Sequence, residues 1–166
     1  MIPNCDQEIY NIQVSTANVA TYSPSSSNVS FTATLTNTLK DVVRAELVTA
    51  SIPCNTSNVV YVVVDELVTR YTDFADTKPA TGVGHSIQTS GTKLRDAFGA
   101  VYNEDTGAKN RITYYNRYPI IAEYPYPIQR LDKLTVKLYG ENGSLITDQG
   151  SAFFTFRFIC NRKNLC

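Results

Sequence analysis

The 166-residue chain has one histidine, one methionine and no tryptophan. A cupin-type metal centre needs several histidines beside a carboxylate, because imidazole nitrogens supply most of the ligands. The single histidine, His85, therefore argues against such an enzyme. The lack of tryptophan disfavours a cleft for stacking sugars, and no Gly-x-Ser-x-Gly nucleophile motif occurs. These shortages predict a protein with no catalytic activity and no cofactor.

Charge is also scarce, since charged residues make up 18% of the chain and fifteen basic residues balance fifteen acidic ones. Without excess positive charge to bind phosphates, direct nucleic-acid binding is disfavoured. No apolar run approaches the roughly 20 residues that span a bilayer. The first six residues have neither the basic nor the apolar region of a signal peptide. We therefore expect the protein to act inside the cell that makes it, or to leave by a route without such a leader.

The four cysteines are Cys5, Cys54, Cys160 and Cys166, and none forms a Cys-x-x-Cys pair. A zinc site is disfavoured because the usual ligand spacing is missing. Reduced, buried thiols are the favoured state for a protein made in the cytosol. A disulfide between Cys5 and Cys166 is the alternative, since chain termini often lie close together.

Four acidic residues, Asp65, Glu66, Asp73 and Asp76, fall on a strand end and on the loop after it. Calcium takes six to eight oxygen ligands, to which carboxylates contribute. The spacing matches no EF-hand, however, so acids that simply face solvent are the favoured interpretation. His85 and Ser86 are also expected to lie in a loop. Adjacent residues in a loop seldom point at each other, so we do not expect these two to form a catalytic pair.

Apolar and polar residues alternate along much of the chain. Phe31, Ala33 and Leu35 alternate with serine and threonine, which is the pattern of a half-buried strand. Alternation or apolar character predicts strands over residues 10–14, 29–36, 41–52, 58–67, 111–115, 131–139 and 152–159. Within 41–52, Val43, Ala45 and Leu47 are expected on one face. The valine-rich 58–67 segment is expected to be central, and the last two strands are expected to form a hairpin.

Residues 92–102 fit either a short helix or a strand, because their apolar residues share one helical face while Gly99 interrupts it. No βαβ alternation and no internal repeat is visible. The seven to nine expected strands predict a single β-sandwich or small barrel, with one domain over residues 1–166.

Five of the eleven tyrosines lie between residues 114 and 126. Residues 117–127 are expected to form a connection rich in proline and tyrosine. Tyrosine and arginine are common in interface hot spots, and proline reduces the entropy lost on contact. A contact surface and a connection packed across its own domain both fit this composition. The candidate interface residues, including two from the basic tail, are Arg117, Tyr118, Tyr124, Tyr126, Arg162 and Lys163.

Three segments resemble the single jelly-roll capsid proteins of large double-stranded DNA viruses and virophages. These segments are the long strand 42–53 ending in Ile-Pro, the apolar strand 59–67 closing on an acidic pair, and the strands 131–136 and 153–156 flanking an Asn-Gly turn. The resemblance implies an all-β, single jelly-roll β-sandwich of about eight antiparallel strands, without cofactor or enzyme activity. It also implies synthesis in the host cytoplasm and a final location in the virion capsid.

The function that the resemblance implies is a vertex (penton) protein that forms a pentamer. Its partners would be copies of itself, the major capsid protein and other minor capsid proteins. Another minor capsid role is the first alternative. The second is a β-sandwich module that binds a carbohydrate or receptor, for which Tyr71, Tyr102 and the 82–84 loop are candidates. The tyrosine tract and the basic tail match no feature of the family.

Overall fold

The computed structural model describes residues 7–18, 30–55, 57–68, 96–103, 111–146 and 150–162. These ranges contain eight strands, β1 (Gln7–Ser15), β2 (Ser30–Leu39), β3 (Val42–Pro53), β4 (Val59–Val64), β5 (Ala97–Tyr102), β6 (Arg111–Ile128), β7 (Leu131–Tyr139) and β8 (Phe153–Asn161). The helical segments in the same ranges are two single 3-10 turns, Thr16–Asn18 and Asp65–Leu67. Neither is long and apolar enough to cross a membrane.

The described strands form two four-stranded antiparallel sheets, in the orders β1-β8-β3-β6 and β2-β7-β4-β5. Along the chain the pairs nest inside one another: β1 pairs with β8, β2 with β7, β3 with β6, and β4 with β5. Such nesting results when one long antiparallel hairpin of strand pairs is rolled into two facing sheets. The fold is therefore a jelly roll, and the predicted all-β jelly-roll sandwich is confirmed.

The core lies between the two sheets and is rich in phenylalanine. Phe154, Phe156 and Phe158 alternate along β8, and successive ring centres lie 6.0 and 6.2 Å apart. From the opposite sheet, Phe31 packs against Phe154 and Phe98 packs against Phe156. The distances between their ring centres are 6.0 and 6.1 Å. Each fully buried side chain of this size contributes roughly 1.5–3 kcal/mol to stability. The alternating phenylalanine side chains of β8 thus form one wall of the core.

The predicted C-terminal hairpin is wrong, because β7 and β8 belong to different sheets. The apolar side chains of β7, such as Leu134 and Val136, face the phenylalanines of β8 from the other side of the core. Alternation identifies the buried face of a strand but does not specify its neighbour. Between the two strands the chain crosses from one sheet to the other.

Two β-bulges in β3 change the residues that face the core. The register against β8 shifts between Val42 and Arg44, and again between Leu47 and Thr49. As a result Val42 is fully buried whereas Val43 is half-buried, so the predicted placement of Val43 beside Leu47 on the core face is wrong. A bulge adds one residue to a strand and reverses the alternation beyond it.

The central position predicted for the valine-rich segment is confirmed, because β4 lies between β7 and β5. Residues Val62, Val63 and Val64 are all buried, although they alternate between the two faces. The helical alternative for residues 92–102 is wrong over Ala97–Tyr102, which forms β5 beside β4. Pairing with a neighbouring strand has overridden the helical spacing.

Candidate functional site

The longest strand, β6, has 18 residues and is the last strand of its sheet, next to β3. The predicted connection over residues 117–127 is wrong, since these residues belong to the strand. Pairing of β3 with both ends of β6 explains the difference. The proline and tyrosine residues are accommodated in two interruptions of this pairing.

The first interruption is a wide bulge. Leu47 of β3 pairs with Ile120, and Thr49 pairs with Tyr115. A single residue of β3 is therefore opposed by residues 116–119 of β6, which we call bulge 1. Such a bulge turns side chains away from the regular ladder and strengthens the local twist of the strand.

Bulge 1 is held in shape by its own backbone and by a buried tyrosine. Asn116 has φ of 45°, in the left-handed region that asparagine tolerates better than most residues. The hydroxyl group of Tyr114 donates a hydrogen bond to the carbonyl oxygen of Tyr118. Arg117 and the side chain of Tyr118 point outward and are exposed. The bulge thus presents two of the predicted interface residues on a fixed backbone.

The second interruption lies toward the end of the strand. Val42 pairs with Ile128 and Arg44 with Glu123, so one β3 residue is opposed by residues 124–127, which we call bulge 2. Its sequence is Tyr-Pro-Tyr-Pro. Proline has no N–H group to donate to a ladder, so prolines in sheets are confined mainly to edges and bulges. The prolines of β6 all fall in the two bulges, which explains why the strand can extend through them.

Among the tyrosines that the structure describes, four expose most of their side chains on this flank. Tyr126 is 89% exposed, Tyr115 73%, Tyr118 65% and Tyr102, at the end of β5, 58%. Large exposed aromatic side chains are typical of contact sites with other molecules. The flank formed by β5 and β6 is therefore the candidate interface.

A groove of about 430 Å³ runs between the ends of β5 and β6. These are edge strands of opposite sheets, and the groove follows the line along which the two sheets meet. We call it the tyrosine groove, and its principal lining residues are Tyr102, Asn103, Thr113, Tyr115, Arg117 and Tyr118. It combines aromatic rings with an amide, a hydroxyl and a cation. Asn103 and Thr113 are not predictable from the sequence, because only the packing of β5 beside β6 brings them here.

Tyr124 differs from the other candidates because its side chain is half-buried against the core. Its hydroxyl group donates a hydrogen bond of 3.1 Å to the carbonyl oxygen of Leu67. Burial raises the pKa of the Tyr124 hydroxyl well above its usual range. Tyr124 therefore supports bulge 2 from inside, while Tyr126 projects from the surface.

Arg162 lies beyond β8 and forms a 3.2 Å ion pair with Glu8 of β1. Because β3 separates β8 from β6, Arg162 is not part of the tyrosine-rich flank. Lys163 lies outside the described residues, as do Tyr71 and the 82–84 loop. The structure thus brings Arg117, Tyr118 and Tyr102 together and leaves Arg162 apart.

The acidic pair after β4 has partners in the neighbouring strand. Lys137 donates to Asp65 at 2.6 Å, while Glu66 accepts bonds from the backbone N–H and the hydroxyl group of Thr135, at 2.6 and 2.8 Å. Within the described ranges, no group of three or more histidine, cysteine or acidic residues could hold a metal ion. Asp73, Asp76 and His85 lie outside those ranges.

Two of the four cysteines can be placed. Cys54 and Cys160 are buried thiols, as predicted for these two residues. Burial raises the pKa of the Cys160 thiol to about 11, which keeps it protonated and unreactive at neutral pH. Cys5 and Cys166 lie outside the described residues.

The β5–β6 flank therefore offers an edge strand, exposed tyrosines and a polar groove in one place. Exposed aromatic side chains beside a polar groove are typical of surfaces that contact other macromolecules or small polar ligands. Comparison of the chain with protein-family models and with curated proteins finds no match.

Proposed function

We propose that the protein is a structural protein of a viral capsid and occupies the vertex (penton) position as a pentamer. The observation that supports this most directly is the complete nested pairing of eight strands in a jelly roll, an architecture used by many capsid proteins. The three segments that resemble viral jelly-roll proteins support it from the sequence.

Physical features of the surface also suit a subunit that is packed among copies of itself. A net charge of zero reduces repulsion between identical chains at high local density. The tyrosine-rich flank supplies large, rigid side chains that lose little entropy on contact. In this role the protein is made in the host cytoplasm and assembles in the virion with the major capsid protein and other minor capsid proteins.

Another minor capsid role is the first alternative, and a module that binds a carbohydrate or receptor is the second. The tyrosine groove favours the second alternative specifically. Its volume of about 430 Å³ lies in the range of ligand pockets, and its rings and polar groups match the apolar faces and hydroxyl groups of sugars. A glycan array separates this function from a purely architectural one.

The test is the mass of the purified protein, measured by light scattering over a range of concentrations and combined with negative-stain microscopy. The proposal predicts a particle with five times the 18.4 kDa mass of the monomer and with fivefold symmetry. Assembly only in the presence of the major capsid protein, away from fivefold positions, would favour another minor capsid role. A monomer that binds one glycan selectively would favour the binding module.

A further inference from the structure

Bulge 2 and the tyrosine groove are two different surfaces on the same flank. Bulge 2 lies opposite Val43 of β3, whereas Tyr115 in the groove pairs with Thr49, six residues further along β3. At about 3.3 Å per residue, the two surfaces are roughly 20 Å apart. Both belong to the same continuous strand, so bulge 2 of one molecule does not reach its own groove.

The chemistry of bulge 2 suits an aromatic groove. Residues 124–127 are extended, and Pro125, Tyr126 and Pro127 are all exposed. Proline-rich extended segments dock into grooves lined by aromatic side chains, because their shape is fixed before binding and little entropy is lost. The half-buried Tyr124 holds the base of the segment through its bond to Leu67.

Charge adds complementarity to shape. Glu123 precedes bulge 2, and its side chain is 73% exposed although it also lies 3.6 Å from Arg44. The tyrosine groove contains Arg117 among its lining residues. An acidic group beside the proline-rich segment thus has a basic counterpart in the groove.

We propose that bulge 2 of one copy docks into the tyrosine groove of a second copy, with Glu123 beside Arg117. The proposal rests on the proposed function, because it names the contact through which copies of the chain assemble. The contact is heterologous, since each partner contributes a different surface. Every docked copy still presents one unused surface, so repeated contacts close into a ring or extend into a chain.

The contact can be tested without relying on assembly. A synthetic peptide of residues 122–128, with blocked ends, is titrated into the full chain and followed by NMR. Saturable binding with a Kd below about 1 mM is expected. The matched control is the same peptide with both prolines replaced by alanine, which should bind at least about tenfold more weakly. Absence of peptide binding at this concentration would overturn the proposal, whatever the oligomeric state of the protein.

Variants of the full chain locate the binding surface. Tyr102→Ala and Tyr118→Ala remove exposed side chains of the groove, and each should weaken peptide binding by about tenfold or more. Tyr102 lies on β5, so its loss leaves β6 intact. Ile9→Ala, which removes an exposed side chain on the opposite edge strand, should leave binding unchanged. Equal affinity in all three variants would overturn the assignment to the groove.

A mixing experiment distinguishes this contact from a symmetric one. Tyr126→Ala removes the docking side chain and Tyr118→Ala alters the groove, so each variant alone should lose assembly. In an equimolar mixture, the Tyr118→Ala variant supplies an intact bulge 2 and the Tyr126→Ala variant supplies an intact groove. The mixture should therefore form one-to-one dimers and nothing larger. If the wild type assembles and both variants assemble equally well, the inference fails while the proposed function stands. If the peptide binds but the wild type never assembles, the groove does not join copies of the chain, and both the inference and the proposed pentamer fail.

Discussion

Gly99 of β5 faces Ile120 of β6 so closely that a Cβ atom at position 99 would lie 2.3 Å from the Cγ2 atom of Ile120. The two strands are the last strands of opposite sheets. This pair therefore sets how near the sheets approach on the flank that carries the tyrosine groove. A larger residue at position 99 would force the two edges apart.

Gly99→Ala should consequently destabilise the protein by about 1–3 kcal/mol, the usual cost of adding a methyl group to a packed site. Combining it with Ile120→Ala should recover part of that cost, because the second change creates space for the new methyl group. Urea unfolding of the wild type, both single variants and the double variant measures the coupling. An identical cost of Gly99→Ala in both backgrounds would show that the two residues do not interact.

A network of charged side chains covers the outer face of the β3–β8 pair. Glu46 has a side chain only 12% exposed and accepts from Arg44 at 2.6 Å and from Arg157 at 3.3 Å. Glu46→Ala should lower the free energy of unfolding by about 1–3 kcal/mol, since it leaves two cations without their shared carboxylate. The exposed pair Arg130–Asp132 provides the control, and Asp132→Ala should change stability by less than about 0.5 kcal/mol. If Glu46→Ala and Asp132→Ala lowered the free energy of unfolding by similar amounts, the buried network would be no more stabilising than the exposed pair.

The two tyrosines of bulge 2 should respond differently to loss of their hydroxyl groups. Tyr124→Phe removes a half-buried hydrogen bond to Leu67 and should cost about 1 kcal/mol. Tyr126→Phe removes a hydroxyl group from a side chain that is 89% exposed and should leave stability unchanged. Thermal unfolding of both variants measures the difference. If Tyr126→Phe were the more destabilising change, the assignment of Tyr124 as the internal support would be wrong.

Stability should fall at alkaline pH. The pKa of the Cys160 thiol is raised by burial from 9.0 to about 11, and burial also raises the pKa of Tyr124. Between pH 9 and about pH 11, the Cys160 thiol is deprotonated in the unfolded chain but still protonated in the folded protein. The stabilisation is therefore fully present below about pH 9 and is lost as the pH rises toward 11. Its size is of the order of 2–3 kcal/mol.

Urea midpoints at about pH 8 and about pH 10.5 measure this loss. The control is Cys160→Ala, which should flatten the dependence because the titrating thiol is absent. A midpoint that decreases equally in both proteins would assign the alkaline effect to other groups, such as the buried tyrosines.

Alternation in the sequence located most of the strands because each has one face on a shared core. It predicts that Phe31 and Leu134 face inward, and both residues are buried in the core. It does not predict the bulges in β3, because of which Val42 rather than Val43 faces the core. Nor did it show that β7 and β8 lie in different sheets, because the partner of a strand is set by the path of the whole chain.

The candidate site was predictable in composition but not in geometry. The concentration of tyrosines predicts a contact surface at residues 114–126, whereas Tyr102 and Asn103 join it only because β5 packs beside β6. In a regular strand, residues 124 and 126 would face the same side. Bulge 2 separates them, so that Tyr124 packs inward and Tyr126 points outward.

An edge strand of 18 residues would normally offer a long row of unpaired backbone groups to any extended chain nearby. The two bulges leave only Ile120 to Glu123 in regular pairing between them, and the prolines have no N–H group to offer. Two copies can therefore crowd together on this flank without fusing their sheets into a continuous ladder. The same irregularities that shape the surface of β6 also remove the flat, regular edge on which amyloid-like stacking depends.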